Sequence, residues 1–425
     1  MAFVCLFTVV TISSCNKDET DDEKENIENN TDINTDINND DCVCSANDKA
    51  IVLKVGVDKQ FKTIKEASVA AQNNTIIEID AGTYKGDAAL AFWKQDSIVI
   101  RASGGEVNLD ADGKSMEDKA IWVIDGGNIC IEGITFVNAK VPDQNGAGIR
   151  LTNGNLTVIN CRFLHNEMGL LTGNFASTTL TVKNSEFGYS GYGDGLSHDI
   201  YVGRIGSFYV SGSYFHHANI GHLIKSRAAL SQIYYNMIAD GNDAASKASY
   251  EIDIPDGGQA IIVGNIIQKS STPENPYVIN FARESSTQYA VNRIFICFNT
   301  IINFHNASDM VLGAPSSVTE KYIFNNAISE NTTFNPSIQL TAEKGNVFFK
   351  SEELSLSNYY PASSTVVENW KSLMEKDIDA YLPQDLKSKS ISLVPRYQIL
   401  PSLEIVQLDD EPFIPGAVQK ILVVM

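Results

Sequence analysis

Basic residues are scarce in this chain: 32 lysines and arginines stand against 52 acids over 425 residues, a formal net charge of −20. A nucleic-acid partner requires a basic face, so that class is set aside at once. Eleven of the acids lie between residues 16 and 41 against two lysines. Nearly half of the excess thus sits in one segment, and a local basic groove for an anionic ligand is still compatible with the rest. Apolar length is also short at the N-terminus, where residues 2–12 (AFVCLFTVVTI) fall far below the roughly 20 residues of a membrane-spanning helix. Cysteines number seven, with Cys42 and Cys44 the one close pair. A lone CxC has neither zinc-finger spacing nor a second half, so buried or surface thiols are expected, with no disulfide scaffold and no organic cofactor. Histidines number six, and four of them (His198, His216, His217, His222) fall within 25 residues of one another.

The short apolar run ends in Ile12-Ser13-Ser14 immediately before Cys15. This resembles a bacterial lipoprotein signal, which implies export, a lipid on Cys15 and a cell-envelope location, with the membrane touched only through that N-terminal anchor. Residues 16–49 are polar and acidic and read as a solvated tether. The expected organisation is therefore signal 1–15, tether 16–49, folded catalytic body 50–350 and a C-terminal cap or flanking segment 351–425, as a monomer.

The body opens with a strand-like Ile51–Val57, then IKEASVAAQ with Thr63 as helix N-cap, then the β-branched run TIIEIDAGTY. This order resembles the N-terminal cap and first coil of right-handed parallel β-helix proteins of the pectate-lyase-like superfamily. The repeats support it independently. Apolar strands such as LTVINCRF (156–163), LTVKNSEF (180–187) and AIIVGNII (260–267) recur with a polar or small residue near the end. Taking Gly133, Asn160, Asn184, Gly212, Asn236, Asn265, Asn299 and Asn326 as equivalent, the steps are 27, 24, 28, 24, 29, 34 and 27 residues. Such a period marks a solenoid, and asparagines stacked at a bend can form a ladder. A β-sandwich would instead show turns every 8 to 12 residues. The expected class is all-β, a parallel β-helix with a short capping helix and an irregular C-terminal flank.

Each coil also carries a second strand, including DIYVG (199–203), HLIKSR (222–227), YEIDIP (250–255) and YVINFA (277–282). With Ile200, Val202, Ile224, Ile252, Ile254, Ile279 and Phe281 pointing inward, alternation puts Tyr201, Lys225, Asp253 and Asn280 in one outward column. Arg227 and Glu251 are flanking positions, and His198 and His222 precede equivalent strands and should stack at one edge. His216 and His217 lie in the turn leading to His222; His165 and His305 sit apart and read as structural. A charge on the outer face of a strand ordinarily serves only solubility. Here long side chains of both signs fall in register, adjacent coils carry none, and histidines cluster at the same level.

β-elimination on a uronic-acid polysaccharide needs a group that neutralises the carboxylate, a base for the proton α to it, and an acid for the leaving oxygen. Lys225, Arg227, His222, His198 and Tyr201 are the candidates for that work, with His217, Asn280 and Arg204 as substrate contacts. Glu251 and Asp253, two apart on a strand, are candidate Ca²⁺ ligands. The set resembles β-helix lyases of the chondroitinase and alginate-lyase type, in which lysine and arginine do acid–base work and calcium masks the substrate carboxylate, although here Lys225 and Arg227 precede the acids. An acidic polysaccharide is thus the expected partner. Three rivals stand beside the lyase. Glu251 and Asp253, about 6.6 Å apart along a strand, could form an inverting glycosidase pair, though a DD, GHG and RIK set like that of polygalacturonases is missing. A uronate epimerase would share the proton abstraction. A non-catalytic glycan-binding solenoid would use Tyr201, Tyr214, Tyr234 and Tyr235 as stacking platforms.

Overall fold

The computed structural model describes residues 49–285, 288–305, 309–316, 319–373, 375–384, 393–408 and 414–419. The expected signal and all but the last residue of the tether lie outside these residues. The chain winds through about ten coils in which every strand pairs in parallel with its counterpart one coil away. Three sheets run along the solenoid. One coil shows the plan: Ser207–Ser211 in the first sheet, Tyr214–His216 in the second and Ile224–Ser226 in the third. A sequence repeat such as LTVKNSEF is therefore two strands, Thr179–Lys183 and Glu186–Gly188, separated by a bend.

That bend corrects the alignment of the asparagines. It consists of a residue in the left-handed conformation followed by a ladder residue. Asn160, Asn184 and Gly212 occupy the left-handed position (φ 52°, 49° and 60°), as do Tyr235, Gly264, Phe298 and Asn325 in later coils. The ladder itself runs through Cys161, Ser185, Ser213, Asn236, Asn265, Asn299, Asn326 and Asn346. Each backbone N–H donates to the side-chain oxygen of the next, Asn265 N to Asn299 Oδ1 at 2.9 Å for example. In the asparagine part the amides also chain to one another at 2.9–3.1 Å. The early asparagines are one residue out of step because asparagine suits both positions: it tolerates left-handed backbone and it bonds the backbone beside it.

Inward side chains stack with the same period. Phe136, Phe163, Phe187 and Phe215 are parallel rings with centroids 5.0, 4.6 and 4.9 Å apart, the spacing of the strands themselves. Removing each ring from water contributes about 2–3 kcal/mol. At the N-terminal end, helix Ile64–Ala70 closes the core with Ile64 and Ala67, and Thr63 and Glu66 form a reciprocal capping box at its start.

Late in the solenoid the outer faces of the first two sheets are themselves apolar. Tyr234, Tyr235, Phe295 and Phe324 of the first sheet lie under Ile378, Val394, Tyr397 and Ile405. Ile266, Ile302 and Phe349 of the second lie under Tyr359, Trp370 and Ile399. Among the described residues the C-terminal segment is thus packed along two faces, and none of its side chains joins the apolar clusters of the third sheet. Cysteines divide: Cys161 and Cys297 are buried free thiols, whereas Cys130 is disulfide-bonded, contrary to the expectation of thiols throughout. Among the described residues no helix is long and apolar enough to cross a membrane.

Candidate active site

The third sheet carries the outward column in the register the alternation demands, with Lys225, Asp253 and Asn280 themselves buried. Tyr201 pairs with Lys225, Lys225 with Asp253, and Asp253 with Asn280 on successive strands. Ile200, Val202, Ile224, Ile252, Ile254, Ile279 and Phe281 on either side are fully buried in the core. Alternation along these strands of three to five residues thus turns the four polar residues outward.

Asp253 is the hub. Its Oδ2 lies 3.2 Å from Lys225 Nζ and 3.3 Å from His222 Nε2, while Asn280 Nδ2 donates to Oδ1 at 2.6 Å. Burial pushes the Asp253 carboxyl up, and Lys225 and Asn280 offset part of that rise. Lys225 Nζ stands 5.5 Å from the Tyr201 ring centroid and 3.9 Å from Glu284. Arg227 donates to Tyr201 Oη at 3.0 Å and binds Asp256 and Glu284. Burial opposes its charge, but Glu284, Tyr201 and Asp256 outweigh burial and hold the guanidinium above its ordinary value. Arg204, also predicted, joins through Asp256 at 2.7 Å.

The histidines stack as expected, His198 on His222 with centroids 4.5 Å apart, but both are buried. Two backbone N–H groups settle their tautomers. His222 N donates to His198 Nδ1 at 3.0 Å and Tyr250 N donates to His222 Nδ1 at 3.4 Å. An N–H can only donate, so each Nδ1 is the bare nitrogen and each proton sits on Nε2. His222 therefore donates to Asp253. Burial, reinforced by Lys225, Lys269 and Arg227, pushes it down to about 3; burial, His222, Lys225 and Arg227 hold His198 well below its usual value. Both imidazoles are neutral supports rather than exposed proton carriers. His217 is not brought to the patch: it bonds His216 and, at 3.3 Å, Asp243, and it stacks on Tyr189.

Glu251 is a second correction. The strand begins at Ile252, and the chain bends at Glu251, so strand alternation does not reach Glu251. Its side chain enters the interior and pairs with Lys269 at 3.2 Å, both fully buried. It shares no face with Asp253. The donor set consequently does not fit the expected calcium: Glu251 is turned away and Asp253 is already engaged by Lys225, His222 and Asn280. Among the described residues no three histidine, cysteine or carboxylate groups converge to hold a metal. The same displacement breaks up the Glu251/Asp253 glycosidase pair. Of the aromatic platforms, Tyr234 and Tyr235 are buried under the C-terminal segment and Tyr214 stacks on His216 in the second sheet, which leaves Tyr201.

Asp256, Arg283, Glu284 and Tyr289 were missed. Arg283 packs over Tyr277 at 4.6 Å and donates to Asn280 at 3.4 Å, and Tyr289 Oη donates to the Arg227 carbonyl. The pair Arg283-Glu284 follows the strand Tyr277–Phe281 after one residue, Ala282, which was a readable signal. That Glu284 reaches back two coils to Arg227 was not.

The fold and this charged face define a right-handed parallel β-helix with a cluster of ionisable side chains on the outer side of its third sheet. A crystal structure of the pectate lyase Pel9A is similar over 89% of this chain and 98% of that one, at 14% identity and a TM-score of 0.55. ORF18 of Geobacillus virus E2 matches over 68% and 57% (11% identity, TM-score 0.39), and a pectin methylesterase from Aspergillus niger over 81% and 99% (11%, 0.38). No family model matches the chain. No curated protein matches it either. At these identities the likeness to Pel9A establishes the fold, and the chemistry must be argued from the side chains.

Proposed function

We propose that the chain is a polysaccharide lyase that cleaves a uronic-acid polysaccharide by β-elimination on the outer face of its third sheet. The carrying observation is Lys225, held by the buried carboxyl of Asp253 and facing Tyr201, with two arginines gathered at Asp256 beside it. Arg227 and Arg204 meet the substrate carboxylate, whose negative charge increases when the α-proton leaves. Lys225 removes that proton, and Tyr201, on the adjacent strand, returns one to the leaving glycosidic oxygen. Asp253 lies 3.2 Å from Lys225 Nζ and fixes the position from which that nitrogen reaches the α-proton. His222 and Asn280 keep Asp253 in place.

The likeness to a pectate lyase supports the substrate class through the fold, and the displacement of Glu251 favours elimination over hydrolysis. Export, a lipid anchor at Cys15 and a cell-envelope location belong to the same proposal. The disulfide at Cys130 suits an oxidising compartment.

The test is incubation with a panel of uronate glycans, including pectate and alginate, with added calcium and with chelator, while unsaturated product is followed by ultraviolet absorbance. Absorbing product supports the reading, and persistence in chelator supports the metal-free donor set. New reducing ends without absorbance would assign hydrolysis; a changed uronate configuration without cleavage would assign epimerisation.

A further inference from the structure

The outward column continues beyond the site toward the N-terminus. Tyr201 pairs with Leu171, and Leu171 with Arg150, whose own other neighbour is Val123. Three strand spacings, about 14 Å, separate Arg150 from Lys225 along the sheet. A cavity of about 390 Å³ opens over this stretch, with Arg150, Asn145, Leu171 and Tyr201 in its lining.

Arg150 differs from every other arginine of the face. Arg227 and Arg204 share Asp256, and Arg283 rests on Tyr277 and Asn280. Among the described residues no carboxylate or carbonyl engages the Arg150 guanidinium, although the residue is half-buried and its register neighbours Val123 and Leu171 both belong to an apolar cluster. Burial lowers its pKa, and only the Tyr201 hydroxyl opposes that. In the same cavity the side-chain oxygen of Asn145 is buried without a donor among the described residues. The two acids at the cavity are otherwise occupied: Asp143 pairs with Lys119 at 3.3 Å, and Asp194 accepts from Leu196 N–H at 2.9 Å. A guanidinium desolvated by apolar neighbours yet left without a counter-ion is costly unless an anion arrives, and an orphaned amide oxygen beside it calls for a hydroxyl.

We infer that the Arg150 cavity is a distal subsite which binds a uronate carboxylate, with Asn145 taking a sugar hydroxyl, a few units along the chain from the bond at Lys225. The inference rests on the lyase reading for its substrate class and adds that long acidic chains are preferred to short ones. Tyr201 links the two sites, since its ring borders both.

The test measures kcat/KM on oligogalacturonates from dimer to octamer for the wild type, Arg150→Ala, Arg150→Lys and, as a control for net charge, Lys65→Ala. Wild type should gain with length, Arg150→Ala should lose about 10- to 100-fold on the long oligomers relative to the short, and Arg150→Lys should recover part of it. Lys65→Ala, an exposed position on the N-terminal capping helix, should keep the wild-type length dependence. A second arm titrates the octamer and its carboxyl-reduced, neutral counterpart into Lys225→Ala, with and without Arg150→Ala, and thermal unfolding checks that each variant is folded. Weaker octamer binding on loss of Arg150, with no change for the neutral form, supports the subsite even if the wild type cleaves nothing; that outcome would overturn elimination alone. Cleavage with a length dependence indifferent to Arg150 would overturn the subsite and leave the lyase. Neither cleavage nor binding would overturn both.

Discussion

Asp253 is buried yet accepts from Lys225, His222 and Asn280, so each of these residues affects the others. Lys225→Gln retains a donor toward Asp253 but cannot remove a proton. It should lower kcat by about 100- to 10,000-fold while the thermal midpoint stays close to wild type. His222→Ala is a different experiment, because that imidazole is buried and bonded on both nitrogens. It should cost about 1–3 kcal/mol in denaturant unfolding as well as activity. Since His222 is pushed down to about 3, the wild-type rate profile should carry no imidazole limb near pH 6.5. A limb there that disappears in His222→Ala would restore His222 as a proton carrier.

At the scale of the element, the ladder joins coils that are otherwise held by short strands. Asn265 accepts from Asn236 and donates to Asn299, Ile233 and Val263. Asn265→Ala should cost about 2–4 kcal/mol, more than Asn346→Ala at the partly exposed end of the ladder, as read by denaturant unfolding. The corner between the second and third sheets carries the opposite kind of element, a set of buried acids. Burial raises Asp240 to about 8 and Glu251 to about 7, the latter against the pull of Lys269. Folded values above unfolded ones mean the native state keeps protons the unfolded chain has released. This stability is complete below about pH 4 and lost as pH rises through 7 and 8. The depressed His198 and His222 act in the other direction, losing stability as pH falls below about 6.5. Between pH 6.5 and 8.5 only the acid slope operates. The thermal midpoint should fall across that window, and Asp240→Asn should flatten it by about 1–2 kcal/mol.

Across the whole molecule, the location of the site depends on which faces are covered. The C-terminal segment lies over two of three sheets, with Tyr397 edge-on to Tyr235 at 5.7 Å and Tyr235 Oη accepting from Arg396 N. Tyr397→Asp should lift that segment and expose the aromatic face of the first sheet. Dye binding should increase and stability fall by about 2–4 kcal/mol, with the third sheet's activity lost only in proportion to unfolded protein. A loss of activity in fully folded Tyr397→Asp would place part of the site under the C-terminal segment.

The solenoid class, the inward residues and the column Tyr201, Lys225, Asp253 and Asn280 followed from the sequence by itself. Period and alternation are properties of order along one chain, and parallel coils stack equivalent positions. The one-residue slip in the ladder, the inward turn of Glu251 and the burial of His198 and His222 were decided by the tertiary structure. Each depends on where a strand ends and a bend begins, which spacing does not encode when one residue type serves both positions. The reach of Glu284 to Arg227, and the isolation of Arg150 beside Val123 and Leu171, were likewise tertiary. A counter-ion is present or missing only in space, where loops from distant coils meet and compete for the same charge.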